Sequence, residues 1–564
     1  MCVNKEEAHW SQELFGGRRN RVMTIMDQKK FFRFFLPAFV LLLFLFRLID
    51  GFLPGVLLAP TPDSVEPFVG ALRMCRGENY GFMLNGEYFP SRYSPALSFL
   101  LLPFLYFSPV PGAAGIAIGF WSMVLMLFVI LLFHKDREYG GTALACGLLF
   151  CVPCFLEYCG SAMTEIPYAA LLFIMFWLYR KMLDSDEDSP KLFLLYGIAA
   201  AVCGSLRMTG YPMLLAAAWI LFFRCRQKRT PFIRSWLFLL LPSGITASFS
   251  LLYNQLVFGS PLRSGYHFHT PVPHDFPQLL FSFSYIPGNI RDALTWGIRG
   301  AIIVGLTLLV VAFHTFLCKR KSLPDRHIFR AECGFVFLQF AMLLLLYLPY
   351  CYSSMRFYFP GLLLFVWLLV RGLLGVIRAL KISNDAFITG AAWMIGLEIT
   401  MITIFQPQLD YCGQEIKALC HLEKILPEQA LLIHNYDPGR VELFFVGNSR
   451  RKQLPVTRKC EYADKIALKK SIRDPDIKPK HALDHRAEYL HEAPGKIIFF
   501  KTVLEEAPQK IIEEALARKE AVFITGDSFP VLSQDVYFTL RRQFRMQRAM
   551  HSAGGSAVFR ILPR

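Results

Sequence analysis

Two carboxylates lie beside apolar segments, where a carboxylate is rare and usually functional. Asp63 belongs to the polar loop 61–95, which follows the first long apolar segment, and Glu165 opens another apolar segment in CGSAMTEIPYAALL. In a shared cavity, two such acids can accept a proton, position an acceptor, bind a metal or raise each other's pKa. The alternative is structural, because both acids also stand in sequences typical of a helix start.

Three arginines border apolar segments in the same way. Arg92 precedes the apolar stretch 95–108, Arg207 lies between two apolar segments, and Arg356 precedes a third. Each one alone is more typical of an arginine that snorkels to the membrane surface. Together on one face they indicate an anion site, since the guanidinium fork makes paired charge-assisted bonds to phosphate.

The stretch 253–269, YNQLVFGSPLRSGYHFH, combines turn residues with polar side chains. Its glycines and proline predict a turn at the end of a span, and its amide, hydroxyl and imidazole groups suit a sugar or a phosphate. His267 and His269 could also be metal ligands, although they have no clear third partner. The candidate substrate-binding residues are Arg92, Tyr93, Arg207, Asn254, Tyr266, His267, Arg356 and Tyr358.

Membrane-spanning helices must position these residues. Of the 564 residues, 54% are hydrophobic, and the mean hydropathy is +0.38. Many apolar runs reach the roughly 18–20 residues that span a bilayer. The composition therefore predicts an α-helical polytopic membrane protein and excludes an ordinary soluble one. The net charge of +17 indicates basic cytoplasmic loops rather than nucleic-acid binding, because no nucleic-acid-binding motif occurs.

About eleven apolar segments are candidate spans. They are 31–49, 112–133, 140–158, 163–182, 192–206, 209–223, 235–257, 298–318, 331–350, 358–379 and 386–405. The shorter stretch 95–108 fits a juxtamembrane helix better. If it crossed, the basic loops 224–234 and 318–330 would lie outside, against the positive-inside rule. We therefore expect a cytoplasmic N-terminus, with both acids and all three arginines on the outer face.

The tail after residue 405 is polar, in contrast to the apolar segments that precede it. Short β-like runs at 429–436, 440–447, 496–502, 520–527 and 556–562 alternate with helical patterns at 508–520 and 533–546. This alternation predicts a small α/β domain. The expected organisation is a cytoplasmic segment 1–30, a membrane domain 31–405 whose first outer loop is 50–111, and an extracytoplasmic domain 406–564.

Seven sequence elements, in this order, resemble those of one family. They are PDSVEPFVGALRMCRGENY, RYSPALSFLLLP, SAMTEIPY, CGSLRMTGYP, YNQLVFGSPLRSGY, MRFYFP and ILPEQALLIHN. Through them the chain resembles the GT-C superfamily of polytopic glycosyltransferases, especially bacterial relatives of the protein O-mannosyltransferases and the lipid A aminoarabinose transferases. Each motif is loose, so the signal is their order over residues 31–450. Ser64 stands where some relatives have a second acid, and Glu165 stands where Asp is commoner.

The resemblance implies an inverting glycosyltransferase that moves a sugar from a polyprenyl-phosphate donor to a lipid, glycan or protein acceptor of the cell envelope. It implies that Asp63 activates or orients the acceptor, and that Glu165 is the second catalytic acid. Arg207 and Arg356, with Arg92 as a further candidate, would hold the lipid phosphate. The implied location is the bacterial inner membrane, among its lipids, with the C-terminal domain outside. A divalent metal is an open alternative, and no other cofactor is expected.

Two other functions remain as alternatives. A transporter or flippase of lipid-linked or anionic solutes would show inverted repeats and charges near mid-membrane, whereas these charges cluster at one face and no repeat is visible. A family member that serves as an assembly subunit would not need to retain Asp63, Glu165 and Arg207.

Overall fold

A computed structural model describes residues 62–380 and 413–564, with internal gaps. The gaps are 85–86, 108–110, 135–138, 151, 153, 160–161, 185–189, 227–231, 270–273, 275–276, 322–325, 352, 437, 448, 456–457, 463–497, 503–507, 532–533 and 552–556. The predicted segment 1–30 and the predicted spans 31–49 and 386–405 lie outside the described residues. The backbone of Asp63 is described, but its side chain is not.

The chain first forms two helices with a short hairpin between them, and then a helical bundle. The first elements are helix α1 (Pro62–Cys75), the antiparallel strands β1 (Gly81–Leu84) and β2 (Glu87–Pro90), and helix α2 (Ala96–Phe107). The apolar helices that follow are α3 (Pro111–His134), α4 (Tyr139–Phe150), α5 (Phe155–Cys159), α6 (Glu165–Asp184), α7 (Pro190–Leu206), α8 (Leu214–Arg226) and α9 (Phe232–Phe258). A 3-10 turn, Met208–Met213, joins α7 to α8.

The second half of the bundle begins with short connecting helices. These are α10 (Gly265–His269), α11 (Pro277–Leu280), a 3-10 turn (Phe283–Tyr285) and α12 (Ile286–Trp296). Three long helices complete it: α13 (Ile298–Lys321), α14 (Arg326–Tyr347) and α15 (Met355–Leu380). Within the described residues, seven helices are long and apolar enough to cross a membrane. This confirms the prediction of a multi-pass membrane protein.

Helices α6 and α15 form the centre of the bundle. In their apolar segments, 78% and 89% of the residues are buried. A buried ion cluster joins them to α14. Glu332 pairs with Arg180 at 2.8 Å and with Arg371 at 3.6 Å, and all three side chains are almost inaccessible to solvent. Because a buried charge is costly unless it is paired, this cluster holds the three helices in one register.

Two of the predicted apolar segments differ in detail from the structure. The segment 95–108 forms a helix of 12 residues, about 18 Å long and so shorter than the roughly 30 Å hydrocarbon core of a bilayer. Its position at the membrane surface remains a prediction. The segment 140–158 was expected to be one continuous span, and this was wrong. The helix ends at Phe150 and resumes at Phe155, with Cys154 at a φ of 61° between them. A break is what the sequence CVPC favours at this point, because proline disfavours a helix interior.

The C-terminal part is built around a sheet. Its elements are α16 (Gly413–Ile425), β3 (Ala430–His434), α17 (Pro438–Val441), a π-helical turn (Glu442–Val446), β4 (Lys452–Pro455), β5 (Arg458–Tyr462), β6 (Ile498–Thr502), α18 (Pro508–Ala517), β7 (Ala521–Thr525), a 3-10 turn (Gly526–Val531), α19 (Gln534–Gln543), β8 (Phe544–His551) and β9 (Ala557–Pro563). The five-stranded sheet has the order β4-β3-β7-β9-β8. Strands β4, β3 and β7 run parallel, and β9 and β8 add antiparallel pairs.

The small C-terminal α/β fold was predicted, but some of its elements were not. The predicted strand 440–447 was wrong, because α17 and the π-helical turn occupy it. A short apolar run such as VELFFV does not distinguish strand from helix by periodicity. The helix predicted at 533–546 ends at Gln543, and β8 follows because it pairs with β9. The domain boundaries at 405 and 406 remain predictions.

Candidate active site

Glu165 is the centre of a cluster of charges at one end of the bundle. It is the first residue of α6, and none of its surface is exposed. Its Oε1 atom accepts a hydrogen bond from Arg207 Nη2 and forms an ion pair with Arg356 Nε at 2.6 Å. Arg207 follows α7, and Arg356 lies in the first turn of α15. The fold thus brings one acid and two of the three predicted anion-binding arginines together.

Arg207 is held on several sides. It has extended backbone angles between α7 and the 3-10 turn, and its Nε atom donates to Thr164 Oγ1 at 3.2 Å. Its guanidinium lies 6.0 Å from the ring centre of Tyr168 and 5.6 Å from that of Phe357. Cation–π contacts of this kind favour a fixed, partly desolvated arginine. The position of its charge is therefore set before any ligand binds.

The ring of Tyr168 is itself fixed by two hydrogen bonds. Its hydroxyl lies 3.0 Å from Thr209 Oγ1 and accepts from Gln339 Nε2 at 2.9 Å. These partners come from the 3-10 turn and from α14. Two elements besides α6 and α15, the 3-10 turn and α14, therefore support the cluster.

The cluster retains unused hydrogen-bonding capacity. Among the side chains that the structure describes, neither Glu165 Oε2 nor Arg207 Nη1 has a hydrogen-bond partner, and both atoms are buried. A buried polar atom without a partner costs about 1–3 kcal/mol, so such atoms mark a place for a ligand or water. Two guanidinium groups face one carboxylate here. The excess positive charge suits an anionic ligand.

Arg92 forms a second centre with Glu66 of α1. Arg92 Nε and Nη2 donate to Glu66 Oε1 at 2.7 and 2.5 Å, and its backbone N–H donates to Oε2 at 3.0 Å. Ser91 Oγ adds a bond of 3.0 Å. Glu66 lies three residues after Asp63 on α1. The pairing holds the 91–92 segment against the helix that carries Asp63.

Tyr93 and Tyr266 meet beside this centre. Their rings pack edge to face with centroids 5.5 Å apart. Gly265 lies so close that a Cβ atom there would stand 2.2 Å from the carbonyl oxygen of Ser91. Helix α10 therefore packs directly on the 91–93 segment, and this contact requires glycine.

The other predicted binding residues have local partners. Asn254 Nδ2 donates to the Pro261 carbonyl at 3.1 Å and so stabilises the turn after α9. His267 Nδ1 accepts from the backbone N–H of Ser264 at 3.2 Å. The hydroxyl of Tyr358 lies 3.1 Å from Ser353 Oγ. The predicted roles of these residues in substrate binding remain predictions.

The arrangement of helices is shared with a protein of known structure. The crystal structure of ArnT from Cupriavidus metallidurans bound to undecaprenyl phosphate superposes with a TM-score of 0.54 at 10% identity, covering 93% of this chain and 97% of ArnT. The chain has the GT-C fold. The apo structure of the same ArnT gives a TM-score of 0.43 at 11% identity with the same coverage. No protein-family model and no curated protein matches the sequence.

In this GT-C fold, the C-terminal part touches the loop that carries the site. Glu442 of the π-helical turn accepts from Arg73 Nη1 at 3.3 Å, from Gln453 Nε2 at 3.0 Å and from the Met83 N–H at 3.4 Å. Burial raises the pKa of Glu442, and these hydrogen bonds oppose the increase. Sequence reasoning missed this contact, because Arg73 and Met83 lie 369 and 359 positions before Glu442.

Metal ligands are not clustered in the described part of the GT-C fold. No three His, Cys, Asp or Glu side chains there are arranged to hold a metal ion. The side chains of Asp63 and His269 lie outside the described residues. A divalent metal therefore remains an open alternative.

Proposed function

We propose that this protein is an inverting membrane glycosyltransferase that takes a sugar from a polyprenyl-phosphate donor. The observation that carries the proposal is the cluster of Glu165, Arg207 and Arg356, found on a fold shared with an ArnT that binds undecaprenyl phosphate. The cluster has a fixed excess of positive charge at the end of the membrane helices. The phosphate of a membrane lipid is an anion that lies at the same depth.

Arg207 and Arg356 bind the lipid phosphate and stabilise its charge as it leaves. Arg207 Nη1 is a buried donor with no partner in the described part of the chain, and it supplies one bond to a phosphate oxygen. Arg356 is more open, with 24% of its side chain exposed. Glu165 is a positioning residue in this reaction, because it holds both guanidinium groups on one oxygen.

Asp63 is the proposed general base. Its backbone lies in the first turn of α1, one helical turn before Glu66. The acceptor hydroxyl attacks the anomeric carbon as the bond from that carbon to the phosphate oxygen breaks. The hydroxyl proton passes to Asp63, and polyprenyl phosphate leaves. A single displacement of this kind inverts the anomeric centre.

Helix α2 supplies an apolar surface for the lipid tail. It packs against α1, where Ser98 Oγ donates to the Pro67 carbonyl at 2.6 Å. On its other side Phe99, Tyr106 and Phe107 are 55%, 76% and 87% exposed. A tail lying along these rings brings the phosphate to the level of α1. We place this surface at the outer face of the bacterial inner membrane, where an acceptor of the cell envelope is available.

The test uses purified protein in lipid vesicles with a panel of polyprenyl-phosphate sugars. We expect the wild type to release polyprenyl phosphate, and Asp63→Asn to reduce the rate by about 100-fold or more, the usual contribution of a general base. Asp184→Asn is the matched control, because Asp184 is exposed and lies at the opposite end of α6 from Glu165. It should retain the wild-type rate.

Two results would overturn the proposal. One is the absence of turnover with every donor, and the other is an undiminished rate in Asp63→Asn. Movement of an intact lipid-linked sugar across the vesicle membrane, with no cleavage, would establish the alternative of a transporter or flippase.

A further inference from the structure

A cleft lies where the C-terminal end of α1 meets the C-terminal sheet. Its volume is about 790 Å³, within the roughly 300–1,000 Å³ of typical ligand pockets. One wall comes from the end of α1 and from β1, and the other comes from the π-helical turn, β4 and the segment after α18. None of its lining residues belongs to the Glu165 cluster. We call it the junction cleft. Its lining residues are Arg73, Arg76, Glu78, Met83, Gln429, Glu442, Val446, Gly447, Ser449, Arg450, Arg451, Lys452, Gln453, Arg518 and Glu520.

The junction cleft is strongly basic. Six cationic and three acidic side chains line it. All three carboxylates already have cationic partners. Glu78 and Glu442 pair with Arg73 at 2.9 and 3.3 Å, and Glu520 pairs with Lys452 and Arg518 at 2.6 and 2.9 Å. The acids therefore neutralise half of the cations, and Arg76, Arg450 and Arg451 have no partner among the acids that line the cleft.

Two of the unmatched cations have free side chains. Arg76 and Arg450 are exposed, and neither side chain makes a hydrogen bond or an ion pair with any residue that the structure describes. They belong to opposite walls, since Arg76 follows α1 and Arg450 precedes β4. An anion between the walls can meet a guanidinium from each side.

The third unmatched cation is held in place by backbone carbonyl groups. Arg451 Nη2 donates to the carbonyls of Glu423 and Leu426 at 2.7 and 3.1 Å, and its Nε donates to that of Pro427 at 3.2 Å. Its charge is therefore fixed at the wall of the cleft, where Arg451 Nη1 also donates to the half-exposed Glu423, a residue outside the lining, at 3.5 Å. Fixed cations raise the local concentration of anions.

We infer that the junction cleft binds a phosphate-bearing anion, held chiefly by Arg76 and Arg450. Guanidinium groups bind phosphate oxygens in pairs, and Gln429 adds a polar side chain to the lining. A phosphate group can come from a soluble phosphate ester or from the headgroup of an anionic lipid. This site goes beyond the proposed transfer reaction, because it shares no residue with the Glu165 cluster.

Binding to the full chain tests the inference without any sugar donor. The soluble probe is inorganic pyrophosphate, titrated calorimetrically into protein in phosphatidylcholine nanodiscs. The lipid probe is phosphatidic acid, whose retention by the protein is counted by native mass spectrometry. We expect Arg76→Gln with Arg450→Gln to weaken binding of at least one probe by about tenfold or more. The control Arg542→Gln removes an exposed arginine at the end of α19 and should bind as the wild type does.

The outcomes distinguish the two sources of phosphate from the absence of a site. A selective loss of pyrophosphate binding supports a soluble ligand, and a selective loss of phosphatidic acid supports a lipid headgroup. Equal binding of both probes by all three proteins overturns the inference. Hydrogen–deuterium exchange of the wild type provides a measurement that does not depend on the variants. Protection of residues 73–79 and 449–453 by a probe supports the site, and the absence of protection by either probe overturns it.

Discussion

The role of Glu165 depends both on its residue type and on the side chains that the fold places around it. The sequence marks it as unusual, because a carboxylate at the head of an apolar segment is rare. Its partners Arg207 and Arg356 are 42 and 191 positions away, and no local pattern predicts such pairs. The arginines were expected to bind a lipid phosphate, and the structure shows them bound to the acid. This changes the proposed role of Glu165 from an acid or base to the group that positions two cations.

The two arginines should differ in their contribution to stability. Arg207→Met leaves the fully buried Glu165 with one partner, and removing one member of a buried pair costs about 3–5 kcal/mol. Arg356→Met should cost less, because 24% of the Arg356 side chain is exposed, against 7% for Arg207. Water can then replace part of the lost contact. Apparent melting temperatures of the two variants in the same detergent provide the comparison. An equal or reversed order would contradict this view of the cluster.

Short elements position the site more directly than the long helices do. Helix α10 packs on the 91–93 segment through Gly265, and that segment is held to α1 by Glu66. The sequence predicted a turn near residue 259 but not which surface it would contact. A contact between residues 91 and 265 depends on how α9 and α2 pack. The break after α4 was missed for a different reason. The apolar composition of 140–158 indicated a continuous span, although the proline in its sequence is typical of a helix end.

Gly265→Ala adds only one methyl group, but it should disturb the site strongly. The new methyl group would lie 2.2 Å from the Ser91 carbonyl oxygen, so the backbone must shift at a cost of about 1–3 kcal/mol. We expect a lower rate of sugar transfer, since Arg92 and Tyr93 move with that segment. Gly288→Ala is the control, because a Cβ atom at Gly288 of α12 has no neighbour within 4 Å. Equal rates in both variants would show that this contact does not support the site.

A polar network joins strand β1 to the C-terminal sheet. Gln453 donates to Glu442 and to the Met83 carbonyl, and its Oε1 lies 3.1 Å from His434 Nε2. Burial lowers the pKa of His434 to about 4, so this histidine is neutral at pH 7. The network therefore couples the stability of the sheet to pH.

The sign of this coupling follows from proton binding. A histidine with a lowered pKa binds more protons when unfolded, so His434 makes stability rise with pH between about 4 and 6.5, by about 3 kcal/mol in total. Glu442, with a raised pKa, has the opposite sign: stability falls as pH rises from its ordinary value of 4.5 through the raised value. The loss below pH 6.5 should be smaller in His434→Gln, which cannot titrate. Melting temperatures of wild type and variant from pH 4.5 to 7.5 measure it, and identical slopes would exclude His434 as the cause.

The sequence by itself determined the class of this protein, most of its apolar helices and the general position of its candidate site. These features depend on local composition and periodicity, which a chain carries in any conformation. The ordered motifs also indicated the GT-C fold. Only the tertiary structure decided that Glu165 binds Arg207 and Arg356, that Glu66 binds Arg92, and that basic residues of α1 and of the C-terminal sheet form one cleft. Contacts between distant residues depend on how helices pack, and packing is a property of the whole chain.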